Sequence, residues 1–166
     1  MNRVVQAVLV LLILTGGFFA YRFLFPDDAD VIRKQLGEMA SEASFAGEES
    51  PLAKVSKAGK LAGFFTTDAR ISVKPWGARQ VNLNGRAEIR EATIGARSML
   101  TSMRIEIERL DVKVAEDRGS AQVTMSLVVT SSRQDDPWYQ SFDVTMKRVD
   151  GDWLVSQVRN RELIKQ

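Results

Sequence analysis

Few side chains in this 166-residue chain could do acid–base or nucleophilic chemistry, because it contains neither histidine nor cysteine. A disulfide framework is therefore impossible, and a zinc or copper site built on imidazole or thiolate is excluded. So is any scheme that needs a His base or a Cys nucleophile. Carboxylates and amines remain. Asp68 is the weak catalytic candidate, with two readings open: a cavity carboxylate of raised pKa, or a helix-end residue bonded to local backbone. Glu106, Glu108, Asp111 and Asp143 lie out of phase with their apolar neighbours, so alternation sends them outward. Paired carboxylates need a shared dry site, and this pattern supplies none. Lys74 sits beside a turn, where it is either a desolvated amine or an ordinary solvated one. The inventory leans away from catalysis, and no metal or cofactor is expected.

Binding is better supplied with candidates than chemistry is. Trp76, in a Pro75-Trp76-Gly77 turn, either covers the core or presents an aromatic anchor to a partner. Trp138 and Tyr139, after Pro137, invite the same two readings. Met99 and Met125, with Phe142, either line an adaptable apolar pocket or are simply core.

The elements that would position these residues follow from periodicity. Pro26 to Asp30 offers an N-cap and first-turn carboxylates, and Ile32, Leu36, Met39 and Ala43 then recur at helical spacing until Gly47-Glu48-Glu49-Ser50. Ser50-Pro51 starts a second helix with Leu52, Val55, Gly59, Ala62 and Phe65 as its buried stripe. Thr66 to Asp68 closes it. The period then becomes two, with Ala69, Ile71 and Val73 alternating with polar residues, and Val81 and Leu83 mark a short returning strand. Asn84-Gly85 opens a third helix with Ile89, Ala92, Ala96, Met99 and Met103 on one face. Strand patterns fill the rest. Between Arg104 and Ala115 the apolar register slips by one at Glu108-Arg109, which predicts a β-bulge. Ala121 to Val129 alternates, Ser131 to Asp136 reads as a polar loop closed by Pro137, and Phe142, Val144 and Met146 alternate again. Asp150-Gly151 is a hairpin signal ahead of a last strand from Trp153 to Val158.

Ahead of this domain, Val4 to Tyr21 runs 18 residues without a charge. A spanning helix needs about 20 residues, and Arg22 can snorkel to the headgroups. The expected organisation is a transmembrane anchor over residues 1–26 and one domain over 27–166. The alternative is a signal peptide cleaved after Thr15-Gly16-Gly17, which would leave Phe18, Phe19, Phe23, Leu24 and Phe25 as a sticky end. The layout resembles a signal anchor. It places the amino terminus inside the cytoplasmic membrane and the domain outside it, periplasmic in a Gram-negative cell. Beyond Pro26 there are 21 acidic and 21 basic residues, so the domain is neutral and gives no electrostatic reason to expect nucleic acid.

Three stretches carry a family resemblance. Phe64-Phe65-Thr66-Thr67-Asp68-Ala69-Arg70-Ile71-Ser72-Val73 is similar to the helix-to-strand entry of the NTF2-like (SnoaL/ketosteroid isomerase-like) superfamily. Leu83-Asn84-Gly85-Arg86-Ala87-Glu88-Ile89 is similar to its third-helix start, and Lys147-Arg148-Val149-Asp150-Gly151-Asp152-Trp153 to its penultimate hairpin. The element order from about residue 28 to 160 resembles that superfamily as well. The resemblance implies an α+β cone, three helices packed on a curved antiparallel sheet. It also implies where chemistry would sit, and there the chain departs. The isomerase branch has an Asp where Ser72-Val73-Lys74-Pro75-Trp76-Gly77 offers Lys74, its first-helix Tyr has no counterpart in residues 27–66, and the dehydratase branch relies on His. Three functions are thereby carried forward. The first is a membrane-tethered, non-enzymatic module for an envelope protein partner, resembling in layout the periplasmic scaffold subunits of type IV secretion systems. The second is a binding protein for a small apolar ligand in the cone. The third is a SnoaL-like isomerase or lyase using Asp68. The outer sheet face, with Thr124, Ser126, Val128, Thr130, Ser141, Asp143 and Thr145, is either solvent surface or a homodimer surface.

Overall fold

Local capping chemistry sets where the helices begin. The computed structural model describes residues 27–74 and 79–161. Helix α1, Asp28–Ala43, starts where the Asp27 carboxylate accepts from the Ala29 N–H, with Asp28 and Asp30 in the first turn. It ends sooner than its apolar spacing suggests. Ser44 caps it, and Phe45–Ala46 leaves as a two-residue strand, β1. Helix α2, Pro51–Gly63, has Ser50 as its N-cap and proline at its start, as the dipeptide predicts. Helix α3, Gly85–Met99, follows Asn84, whose N–H is satisfied by the Glu88 carboxylate at 2.6 Å. Gly85 is required there. Its φ is +75°, and a Cβ would meet the Thr67 carbonyl oxygen at 3.0 Å.

The strands are β2 Phe65–Val73, β3 Val81–Asn84, β4 Ser102–Val114, β5 Ser120–Ser131, β6 Gln134–Val149 and β7 Asp152–Asn160. They form one seven-stranded sheet in the order β1-β4-β5-β6-β7-β2-β3. The register of β4 against β5 slips between Ile107 and Arg109, which is the predicted bulge. The β6–β7 hairpin turns on Asp150 and Gly151, both at positive φ, as a two-residue primed turn demands. This is an α+β fold with three helices on a curved sheet.

Several expectations are corrected. The sheet is not wholly antiparallel, because β2 pairs with β7 in parallel. The polar loop before Pro137 shrinks to Ser132 and Arg133; β6 already begins at Gln134, and the proline falls where the β5–β6 register slips, a position that needs no ladder N–H. Phe65 to Asp68 belongs to β2, not to the end of a helix. The stripe assigned to α2 holds only at its end: Ala62 is buried as expected, but its companion is Ala58, while Leu52 is 79 % exposed and Val55 47 %. Two alanines let α2 sit close to its neighbours, and the larger side chains are left outside. In α3 the buried residues are Ile89 and Arg97, not the Ile89–Ala92–Ala96–Met99 row, and Met103 lies in β4. Among the described residues no helix is long and apolar enough to cross a membrane, and the expected anchor over 1–26 lies outside them.

The core lies between the helices and the concave sheet face. Ile32 and Leu36 of α1 pack with Phe65 and Ala69 of β2, Ile89 of α3, and Ala121, Val123, Met125, Phe142, Val144, Met146, Trp153 and Val155 from β5 to β7. Met146 is fully buried at its centre. Truncating a buried Met to Ala costs about 2–5 kcal/mol, a transfer loss plus a cavity. Met146→Ala is therefore expected to lower stability by roughly that amount. Its urea midpoint should fall with an unchanged slope.

Candidate functional site

The catalytic and binding candidates are scattered by the fold. Asp68 points out of β2 and is exposed. The Thr66 side chain first, and then its own backbone N–H, draw its carboxyl below the ordinary value, with Lys147 and Arg70 helping. It is thus a surface carboxylate held ionised, the opposite of a raised-pKa acid in a dry cavity. Lys74 is also exposed, just past the end of β2. Glu106, Glu108 and Asp111 lie on the exposed face of β4, as alternation requires.

Met125 and Phe142 do meet. They are cross-strand partners on β5 and β6, and both are buried in the core cluster. Trp138 packs against the same cluster from the inner side of β6, opposite Val129, and its buried indole N–H has no hydrogen-bond partner among the described residues. Tyr139, the next residue, faces the other way and is 62 % exposed. Met99 is 65 % exposed at the end of α3, apart from the other two. Trp76 lies outside the described residues.

Tyr139 belongs to the outer face of the sheet, where neighbouring strands present a ladder of small polar pairs. Ser126 and Ser141 exchange a 2.9 Å hydrogen bond, and Thr124 donates to Asp143. A shallow depression of about 330 Å³ opens here, lined in part by Glu108, Ser126, Tyr139, Ser141 and Arg161. A second groove of about 380 Å³ lies on the helical side, between Val31, Lys34 and Gln35 of α1, Lys60 of α2 and Leu154 of β7. Neither depression holds an acid–base pair on a dry floor. What the outer face offers is an aromatic side chain among small hydroxyls, which suits contact with another surface.

Two buried polar clusters escaped the sequence reading. Arg97 is 2 % exposed, and its guanidinium binds the Glu49 carboxylate at 2.6 Å, donates to the Glu42 carbonyl and stacks 4.8 Å from the Phe45 ring centroid. Lys57 takes the other Glu49 oxygen at 2.6 Å. One arginine thus ties α3 to the end of α1, to β1 and to the start of α2. Asp28 is the second centre. Its carboxylate accepts a long 3.5 Å bond from the Trp153 indole N–H, with Arg148 3.3 Å and Arg118 3.1 Å away. A weak signal existed for Arg97. It stands eight residues after Ile89, on the same helix face, where a charged residue seldom sits unless paired. Nothing local marked Asp28, whose partners lie about ninety residues or more away in sequence.

No protein-family model and no curated protein matches the sequence. Solved structures do match. An NTF2-like protein with a cystatin-like fold from Novosphingobium aromaticivorans aligns over 89 % of this chain and 90 % of its own, with a TM-score of 0.63 at 19 % identity. The fold is NTF2-like. A protein provisionally described as a scytalone dehydratase, from the same organism, aligns over 81 % of this chain and 83 % of its own, with a TM-score of 0.61 at 13 % identity. An NTF2-like protein of unknown function from Pseudomonas putida gives 0.60 at 12 % identity, over 81 % and 85 %. At such identities the NTF2-like likeness speaks for fold alone.

The Arg97 cluster makes a pH prediction. Bonds from Lys57 and then Arg97 hold the Glu49 carboxyl below its ordinary value of 4.5. The folded state therefore binds this proton less readily than the unfolded chain. The pair's contribution is complete above that ordinary value and is lost as pH falls through the lower folded one. Stability should drop in that acid window, and Glu49→Gln should flatten the drop. Removing one partner of a buried pair costs about 3–5 kcal/mol. Arg97→Ala is expected near the lower end of that range, roughly 3 kcal/mol by urea denaturation, because Glu49 keeps Lys57.

Proposed function

We propose that this chain is a membrane-tethered, non-enzymatic NTF2-like domain that serves as a protein-interaction or assembly module of the cell envelope. The observation that carries the reading is the state of the groups that catalysis would need. Asp68, the one catalytic candidate, is a solvent-facing carboxylate held ionised, and Glu49 is locked between two cations. Both are displaced away from the value a general acid requires. The fold supplies scytalone dehydratase-like and SnoaL-like precedents, but this chain has no histidine with which to follow the dehydratase branch.

The tether rests on the uncharged run from Val4 to Tyr21, which approaches the length a bilayer requires. The domain then lies outside the cytoplasmic membrane, with the amino end inside. Its partner is an envelope protein or a second copy, met through the outer sheet face around Tyr139, where the small hydroxyls of β5 and β6 adjoin the outward charges of β4 and the Asp143–Arg161 pair.

A second reading, a carrier of a small apolar molecule, has one observation in its favour. The buried Trp138 N–H has no partner among the described residues, and an acceptor on a bound molecule would satisfy it. Native mass spectrometry of the purified protein separates the two, since a carrier retains an added mass.

The tether is tested by alkaline carbonate extraction of membranes. The full chain is expected to stay in the pellet, and Leu11→Arg with Leu12→Arg together to release it, since each Arg costs about 2.5–3.5 kcal/mol at a helix centre. Release of the unmodified chain would remove the tether from the account.

A further inference from the structure

We propose that residues 162–165 continue β7 along the open edge of β6, with Ile164 closing the half-open end of the cone and Leu163 joining Tyr139 on the outer sheet face. The added strand does not depend on the envelope-partner reading; to that reading it contributes an apolar neighbour for Tyr139.

Strand β7 matches only part of β6. Whereas β6 runs from Gln134 to Val149, its ladder with β7 reaches only from Phe142, opposite Asn160, to Val149, opposite Asp152. Among the described residues nothing pairs with β6 on that side ahead of Ser141. The Arg161 N–H already takes the next step, donating to the Ser141 carbonyl at 2.9 Å just beyond the end of β7. Hydrogen-bonded rungs recur at every second residue of an antiparallel pair. The Tyr139 N–H and carbonyl therefore point to the same side as those of Ser141, and the residue in register to meet them is Leu163. Pro137, at the rung after that, has no N–H, so the ladder ends there.

The sequence that follows β7 fits this place. Glu162-Leu163-Ile164-Lys165 holds neither Gly nor Pro and is apolar at its centre. Continuing the register that sets Phe142 opposite Asn160 brings Leu163 opposite Tyr139 and Ile164 opposite Trp138. Alternation then sends Leu163 to the outer face and Ile164 to the inner one. Each meets an apolar surface that the described residues leave uncovered. Tyr139 is 62 % exposed on the outside. On the inside Ile107, Leu127 and Trp138 pack on the core yet stay half-buried, whereas Val144 and Met146, nearer the β6–β7 turn, are fully buried. The cone is thus closed where β7 lies against β6 and half-open where β7 stops. Docked there, Ile164 takes apolar area out of water at about 25 cal/mol per Å². The same step pairs a strand edge that would otherwise stay bare.

Amide exchange, followed residue by residue by NMR on the full chain in detergent micelles, tests the strand. The Tyr139 N–H is expected to exchange at least about tenfold more slowly in the unmodified chain than in Leu163→Pro, which cannot hold this rung, while Val144 is unchanged. Exchange of Tyr139 at the rate of an open chain overturns the proposal. So does protection that survives Leu163→Pro and grows with protein concentration, which assigns the edge to a second copy. Because the chain has no cysteine, an engineered pair gives a second reading. Tyr139→Cys with Leu163→Cys is expected to close a disulfide within one chain on mild oxidation. Tyr139→Cys with Ile164→Cys is expected to stay reduced, since those side chains lie on opposite faces. Equal closure of the two pairs overturns the strand. Both readouts use the purified chain without a partner. Their failure leaves the envelope reading standing, and failure to capture a partner leaves the strand standing.

Discussion

The hold of Asp28 on the far end of the sheet is the constraint on which the rest of the structure depends. Asp28 opens α1, and its carboxylate meets the Trp153 indole and two arginines that belong to β6 and to the β4–β5 turn. Gln35, two turns later, donates to the Trp153 carbonyl. Fixed at these points, α1 crosses the concave face so that Ile32 and Leu36 enter the core. At the other end the Ser44 hydroxyl accepts from the Ile105 N–H, and β1 pairs with β4. Arg97 then fastens α3 to that end through Glu49 and the Glu42 carbonyl. A chain without disulfides or thiol-bound metals must be held by burial, and these polar fixings decide which way the helices lie while burial supplies the energy.

Patterns of period two were the most legible part of the sequence. The β5 alternation, the Glu108 bulge and the Asp150–Gly151 turn are local signals, and each emerges as expected. The helix faces were less legible. Alanine and glycine carry little hydrophobic signal, so the stripe of α2 takes in Leu52 and Val55 along with Ala62, whereas the helix packs by Ala58 and Ala62. The same weakness hid the inward turn of α3, where the deciding residue is an arginine. A buried charge is legible only through its partner. Glu49 and Phe45 come from a stretch that reads as the tail of a helix. The two readings open for the aromatic pair after Pro137 divide between its members. Trp138 and Tyr139 adjoin in sequence but sit on opposite faces of one strand, so one is drawn into the core and the other stays at the surface.

These placements shape the functional account. An NTF2-like cone does chemistry only when titratable groups converge in a dry interior. Here the described interior positions carry Met125, Phe142, Val144 and Met146. The buried charged groups Asp28 and Arg97 fasten elements together. Contact chemistry remains on the outer sheet face. There the small hydroxyls of β5 and β6 surround Tyr139, beside the charged outward row of β4.

The most direct test is to extract the full-length protein from its own membranes in a mild detergent and weigh the intact assembly by native mass spectrometry. The account predicts a stoichiometric envelope protein bound to the chain, lost when Tyr139 is replaced by Glu on the outer sheet face. A homodimer carrying a small apolar molecule, with no protein partner and no sensitivity to Tyr139, would contradict it.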